Sequence, residues 1–139
     1  MNNNAVIRIS GLQKVEDTGE SVEMLAKGKH YVKNEKHYLL YDEIDNDHGI
    51  KTKNTIKFNE TVMEVLRKGE ISGKLVFEKG NNNQSLYSTP YGDLLVEIFT
   101  KDIKIAQDCD NIHVKVDYEL YANNSKVSDS IIEIEINEV

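Results

Sequence analysis

The sequence predicts an all-β protein in which an antiparallel sheet is either closed into a barrel or folded into a sandwich, and three observations carry that reading. From Ile112 to Leu120 apolar side chains occupy every even position and polar ones every odd position, and Ile132, Ile134 and Ile136 alternate with Glu133 and Glu135. A period of two marks strands with one buried face. Short runs rich in β-branched and aromatic residues recur at 6–9, 37–41, 55–58, 74–78 and 94–100, separated by clusters of Gly, Asn and Asp. Such runs between turn-forming residues read as further strands. No long amphipathic helix lies between them, so there is no room for parallel βαβ units.

In chain order, residues 6–9 form the first predicted strand. A weaker one follows near 23–33, where Lys, His and Tyr alternate up to a turn before Lys36-His37-Tyr38. Residues 59–69 are ambiguous. Asn59 could cap a short helix with Val62, Val65 and Leu66 on one face, Arg67 and Lys68 in its last turn and Gly69 as its stop. Read as a strand, the same stretch puts Met63, Val65 and Arg67 on one face. Residues 80–83, Gly-Asn-Asn-Asn, form a loop, with a weaker strand near 84–88 beyond it. The Asn123-Asn124 pair suits a turn with positive φ joining the last two strands into a hairpin. The sum is nine strands or more in a single domain covering residues 1–139.

Composition narrows the class. One cysteine, Cys109, excludes an internal disulfide, a paired-cysteine zinc ribbon and an iron–sulfur centre. Its neighbours Asp108 and Asp110 would raise rather than lower a thiol pKa, which speaks against a nucleophile. The first residues lack a basic and apolar leader, and no apolar run reaches membrane-spanning length, so a cytoplasmic protein with no membrane partner is expected. The formal charge of −7 is unevenly spread: residues 1–92 carry 13 acids and 13 bases, whereas residues 93–139 carry 11 acids and 4 bases. The acidic third repels polyanions and weighs against a nucleic-acid partner. A basic, aromatic stretch from Lys27 through Lys29, Tyr31 and Lys33 to Tyr38 is the exception.

Chemical motifs are few. The acidic run from Asp42 to Asp47 fails the register of a calcium loop, because His48 precedes Gly49 and Thr55 falls where a bidentate Glu belongs. His30, His37, His48 and His113 form no helical ligand pair and are read as scattered surface histidines, so neither a metal nor any other cofactor is called for. No nucleophile elbow or phosphate loop is found, and no spacing predicts a catalytic centre. Two features remain. The sole proline, Pro90, sits in Tyr87-Ser88-Thr89-Pro90-Tyr91-Gly92, where it fixes a turn. Arg67, one of two arginines, shares its strand face with Met63 and Val65, so it needs a carboxylate partner from a facing strand or from a ligand.

These segments together resemble the YwiB-like family of small bacterial proteins. The resemblance runs through Val65-Leu66-Arg67-Lys68-Gly69, Leu75-Val76-Phe77-Glu78-Lys79-Gly80, the Thr89-Pro90-Tyr91-Gly92 core, Ile98-Phe99-Thr100 and Val116-Asp117-Tyr118-Glu119-Leu120. It spans nearly the whole chain and implies a closed antiparallel up-and-down β-barrel, lipocalin- or calycin-like, of about 8–10 strands. It also tips residues 62–68 toward strand. Lipocalins proper carry a Gly-x-Trp signature, but this chain has no Trp. Fatty-acid-binding proteins use a late Arg-x-Tyr clamp, but no Arg follows Arg67. Asp129 and Ser130 also depart from the family pattern before the last strand.

The functional expectation is a non-enzymatic barrel whose lumen binds a small amphipathic or anionic molecule, with Arg67 as charge anchor and Tyr87, Thr89 and Tyr91 near the rim. The alternative is a side-chain-filled barrel that presents Lys27, Lys29 and Lys33, or its acidic C-terminal hairpin, to RNA or a protein. Exposed barrel faces also leave room for a two-fold homodimer.

Overall fold

The computed structural model of the chain describes residues 4–11, 23–45, 49–69, 72–89, 92–122 and 124–138. They form ten strands: β1 (Asn4–Ser10), β2 (Glu23–Lys33), β3 (Lys36–Asp45), β4 (Gly49–Phe58), β5 (Val62–Gly69), β6 (Gly73–Glu78), β7 (Asn82–Thr89), β8 (Gly92–Gln107), β9 (Asn111–Ala122) and β10 (Ser125–Glu138). All belong to one sheet in the order β6-β5-β4-β3-β2-β1-β10-β9-β8-β7. Every neighbouring pair is antiparallel.

The first strand is thus held between the second and the last. β1 pairs β10 through Ile7↔Ile136 and Ile9↔Ile134, and β2 through Ile7↔Ala26 and Ile9↔Met24. What remains open is the seam between β6 and β7, where the ladder is reduced to its ends. At one end Ser72 and Ser88 exchange backbone hydrogen bonds of 2.9 and 2.7 Å. At the other, Gly80 N donates to Thr100 O at 2.8 Å and Thr100 N to Asn81 O at 3.2 Å. The result is a nearly closed up-and-down barrel of ten strands, with most of the edge that an open sheet would expose removed.

Residues 62–69 are a strand with strict inward alternation of Met63, Val65 and Arg67. The helix signature misleads because Asn59 performs the same chemistry in a different setting. Its Oδ1 accepts from the backbone N–H groups of Thr61 at 2.9 Å and Val62 at 3.0 Å, which closes a turn into β5 instead of starting a helix. The β2–β3 turn places Asn34 and Glu35 at φ 52° and 64°, as a two-residue hairpin with positive φ at both positions requires. Asn124, at φ 65°, serves the last hairpin.

Inside, the alternation fills the barrel. Ile7, Leu39, Ile56, Phe58, Met63, Val65, Val114, Val116, Ile132, Ile134 and Ile136 are completely buried. Each such side chain stabilises by about 1.5–3 kcal/mol relative to exposure. Phe77 of β6 meets Tyr118 of β9 edge to face with centroids 5.0 Å apart, so side chains of strands that share no ladder touch inside the barrel. Bulges shift the inward parity where sequence alternation breaks. On β8, Val96, Ile98 and Thr100 point inward, and after the irregularity at Thr100/Asp102 the inward residue is Ile103.

One register row runs Ala5, Gly28, Tyr41, Asn54, Arg67, Gly73 across six strands. Gly28 is required in it: a Cβ there would lie 2.2 Å from Leu40 O and 3.0 Å from both Ile7 Cδ1 and Tyr41 Cβ. Gly28→Ala, which strand propensity alone would favour, is therefore expected to destabilise by about 1–3 kcal/mol, because the backbone of β3 must move. Urea unfolding of the variant beside the parent checks the sign.

Candidate functional site

β3 and β5 run toward one end of the barrel, and β4 and β10 start there. Near this end the inward positions turn from apolar to polar. On β3 the inward series Leu39, Tyr41 continues to Glu43, and on β4 the series Phe58, Ile56 gives way to Asn54 and Thr52. On β5, Met63 and Val65 are followed by Arg67. Arg67 is 3% exposed, so its charge has left water and must be met inside.

It is met by Glu43. Arg67 Nη2 donates to Glu43 Oε1, and Arg67 Nε donates to Asn54 Oδ1 at 3.0 Å. Asn54 Nδ2 in turn donates to Glu43 Oε1 at 3.2 Å. Three residues from three adjacent strands thus form a closed, charge-neutral triangle, with Asn54 holding both ions in register. Of the two partners left open for Arg67 by the sequence, the structure contains the internal one.

Beside the triangle, Thr52 Oγ1 is buried without a hydrogen-bond partner; Thr100 Oγ1 on β8 and Asn83 Nδ2 on β7 are likewise unbonded but lie toward the β6–β7 turn, at the other end of β6 from Gly73, the register partner of Arg67. On the β9–β10 wall Ser128 and Ser130 share a hydrogen bond of 2.7 Å. Tyr118 pairs Ser130 in register, and burial pushes its hydroxyl up to about 12, a hydrogen bond with Ser130 pulling weakly the other way.

Positions 87 and 89 lie on β7, and the Ser72–Ser88 bridge sets that strand beside the segment that leads into Gly73, the register partner of Arg67. The backbone of this stretch is therefore near the same end as Arg67. Tyr91 and Pro90 lie outside the described residues, as do residues 46–48 of the acidic run. Glu43, Asn54 and Thr52 escape a reading by motif, yet their parity betrays them: each continues a series of inward apolar residues.

A second polar cluster closes the opposite end. His30 is 5% exposed, and its Nε2 lies 2.9 Å from His37 Nδ1 while its Nδ1 lies 3.1 Å from Glu138 Oε1. His37 also stacks on Phe58, centroids 4.8 Å apart. These two histidines are not scattered on the surface as the sequence suggests, because His30 shares the inward parity of Met24, Ala26 and Gly28. Burial lowers the His37 pKa, and the charge of a protonated His30 lowers it further. Among the described residues no group of His, Cys, Asp and Glu has the arrangement of a metal site. No helix among them is long and apolar enough to cross a membrane.

Fold and interior together define a class, a ten-stranded antiparallel barrel with an apolar core and a polar cluster at each end. The family follows from the sequence: the chain belongs to the DUF1934 family, a domain of unknown function, whose model matches residues 7–134. It is 29% identical over 114 residues to the "uncharacterized beta-barrel protein YwiB" of Bacillus subtilis (strain 168), covering 81% of this chain and 79% of that protein. The crystal structure of the ywiB protein from Bacillus subtilis superposes with a TM-score of 0.79 at 24% identity, covering 99% of this chain and 92% of that one. The YwiB-like resemblance and the antiparallel barrel it implied are thereby shown.

Two outcomes test this interior. Arg67→Met or Glu43→Leu alone strands a buried charge and is expected to cost about 3–5 kcal/mol, whereas the double variant should cost less than either, as a double-mutant cycle of unfolding free energies would show. For His37 the lowered pKa means the folded state favours the neutral ring. The stability this gives is full above about pH 6.5 and is lost as pH falls through the lower folded value. The fall in melting temperature from about pH 7 to about pH 5 should be shallower for His37→Gln than for the parent.

Proposed function

We propose that the barrel is a cytoplasmic binding protein that takes a small amphipathic molecule at the Arg67 end of its lumen, without chemistry and without a cofactor. The observation behind this reading is Thr52 Oγ1, a buried hydroxyl left without a hydrogen-bond partner beside the Arg67–Asn54–Glu43 triangle. Leaving such an atom dry and unbonded costs about 1–3 kcal/mol, and a ligand head group that bonds to it recovers that energy. The interior below is packed with aliphatic and aromatic side chains, so the molecule sits at the mouth above them, its apolar part resting on them and not among them.

Arg67 contributes as half of a neutral pair. An anionic head group approaching its guanidinium would also meet the Glu43 carboxylate, so between the amphipathic and anionic ligands expected from sequence the geometry favours an uncharged, hydrogen-bonding head. In this reading Tyr87, Thr89 and Tyr91 keep the rim role that the sequence suggests for them. The exposed, unpaired thiol of Cys109 suits a reducing compartment.

Dansylamide, neutral with a sulfonamide head, and the corresponding dansyl sulfonate provide the test. Saturable 1:1 fluorescence enhancement by the amide at micromolar concentration, with the sulfonate at least tenfold weaker, is expected. Thr52→Val should reduce amide affinity about tenfold while leaving the fold as stable as the parent or more so, since the change removes an unbonded hydroxyl. No saturable binding of the amide, or unchanged affinity in the valine variant, would overturn the reading.

A further inference from the structure

The charge asymmetry of the sequence becomes an asymmetry between the walls of the barrel. The outward positions of β2 run Lys27, Lys29, Tyr31, Lys33, so three lysines and a tyrosine stand in one line about 6.6 Å apart. Lys53 of β4 and Lys68 of β5 face outward in one register row, directly opposite each other. The outward face of β9 and β10 instead carries Asp117, Glu119, Asp129, Glu133 and Glu135.

The two groups of lysines differ in how their charge is used. Lys74, Lys79, Lys101, Lys104 and Lys126 each have a carboxylate within 3.0–3.9 Å. Lys27, Lys29, Lys33, Lys53 and Lys68 are exposed and have no carboxylate partner among the described residues. Between Lys27, Lys29 and Lys53 lies a groove of about 790 Å³ over the outer surface of β1–β4, walled by Val6 and Leu40. It lies over the row in which Gly28 carries no side chain. Beside it Tyr31 and Tyr38 stack with centroids 5.1 Å apart and planes 2° from parallel, Lys57 Nζ lying 5.7 Å from the Tyr38 ring.

We propose that this face binds single-stranded nucleic acid, the unpaired lysines taking phosphates and the groove with its tyrosine stack taking bases. An evenly spaced line of cations can be met at several points only by a polyanion. Flat aromatic and apolar surface next to it selects a polyanion that carries unstacked rings. The overall acidity does not prevent this. The acids of β9 and β10 are two to three strand spacings, roughly 10–14 Å, from β2, beyond the roughly 8 Å screening length of physiological salt. Asp42, between Lys27 and Lys53 in the groove, lowers the local charge by one and argues against a densely charged duplex.

The test is fluorescence anisotropy of the full chain with labelled U20 and dT20 oligomers in 50 and 200 mM KCl, with a 20-bp duplex and polyglutamate as competitors. Binding at 50 mM should weaken with salt with a log–log slope of about −2 for three phosphates, at about −0.7 each. Lys27→Gln/Lys29→Gln/Lys53→Gln should weaken it at least tenfold and flatten the slope. Lys101→Gln/Lys104→Gln/Lys115→Gln should leave it within twofold, and Tyr31→Leu should weaken it severalfold. Unchanged melting temperatures would show that the variants are folded. The proposal is overturned if neither oligomer binds at 50 mM, if both lysine triples act alike, or if polyglutamate or duplex competes as well as the unlabelled single strand. Preference between U20 and dT20 would identify RNA or DNA as the occupant.

Discussion

The pairing of the first strand with the last is the constraint on which everything else rests. β1 supplies only seven residues, but it carries the ladder to both β2 and β10 and so joins a sheet of five strands to one of four in a nearly closed ring. Ala5 meets Glu138 across almost the full length of the chain, and a loop that long is entropically costly to close. Isoleucines offset the cost: Ile7, Ile9, Ile134 and Ile136 face one another in register, all essentially fully buried. Once they are in place a one-residue slip in any strand would turn its apolar series outward, so the ring fixes every register within it.

A nearly closed ring also presses each inward side chain to be packed or paired, since only the β6–β7 seam leaves an edge. Most of the lumen meets this demand with aliphatic residues. One end meets it with the triangle of Arg67, Asn54 and Glu43, whose members come from three successive strands and exist as a unit only because the β3–β4 and β4–β5 registers are correct. A buried ion pair is weak evidence for stability, since well-packed apolar residues often do as well. Beside it Thr52 Oγ1 is a further buried polar atom, left without a partner, so this end of the barrel is more polar than the packing of a core requires.

How far this was legible in the sequence varied with the physics involved. Alternation located the strands, because a half-buried strand must alternate; at residues 59–69 it was matched by a helix signature, and only with the family resemblance did it put Arg67 on the face of Met63 and Val65. The segment that became β2 was faint because Gly28 and His30 replace large apolar residues on its inner face, for reasons that exist only in three dimensions: a close backbone approach at Gly28 and a hydrogen-bonded imidazole pair at His30. Glu43 was hidden inside an acidic run that reads as a solvated turn. Asn59 was legible as a cap but not as a cap of what, since an Asn oxygen serves a helix start and a turn into a strand equally well. The bulge after Thr100 changes which parity faces inward, and nothing in the local composition announces it.

The surface asymmetry has a topological cause. In an up-and-down barrel, position in the sequence maps onto angle around the axis, because each strand lies beside the one before it. An excess of acids confined to residues 93–139 therefore becomes a continuous acidic wall on β8–β10, and the balanced stretch before it is free to segregate its lysines outward on β2–β5. A Greek-key or sandwich arrangement of the same strands would have interleaved the two. The same mapping places the outer groove and the inner triangle on opposite sides of one backbone row, Ala5 to Arg67, with bare Gly28 and the side chains of Tyr41 and Asn54 between them. Inner and outer surfaces of that wall are carried by the same strands: Asp42, which lines the groove, and Glu43, which closes the triangle, are consecutive residues of β3, so the alternation of one strand serves both faces.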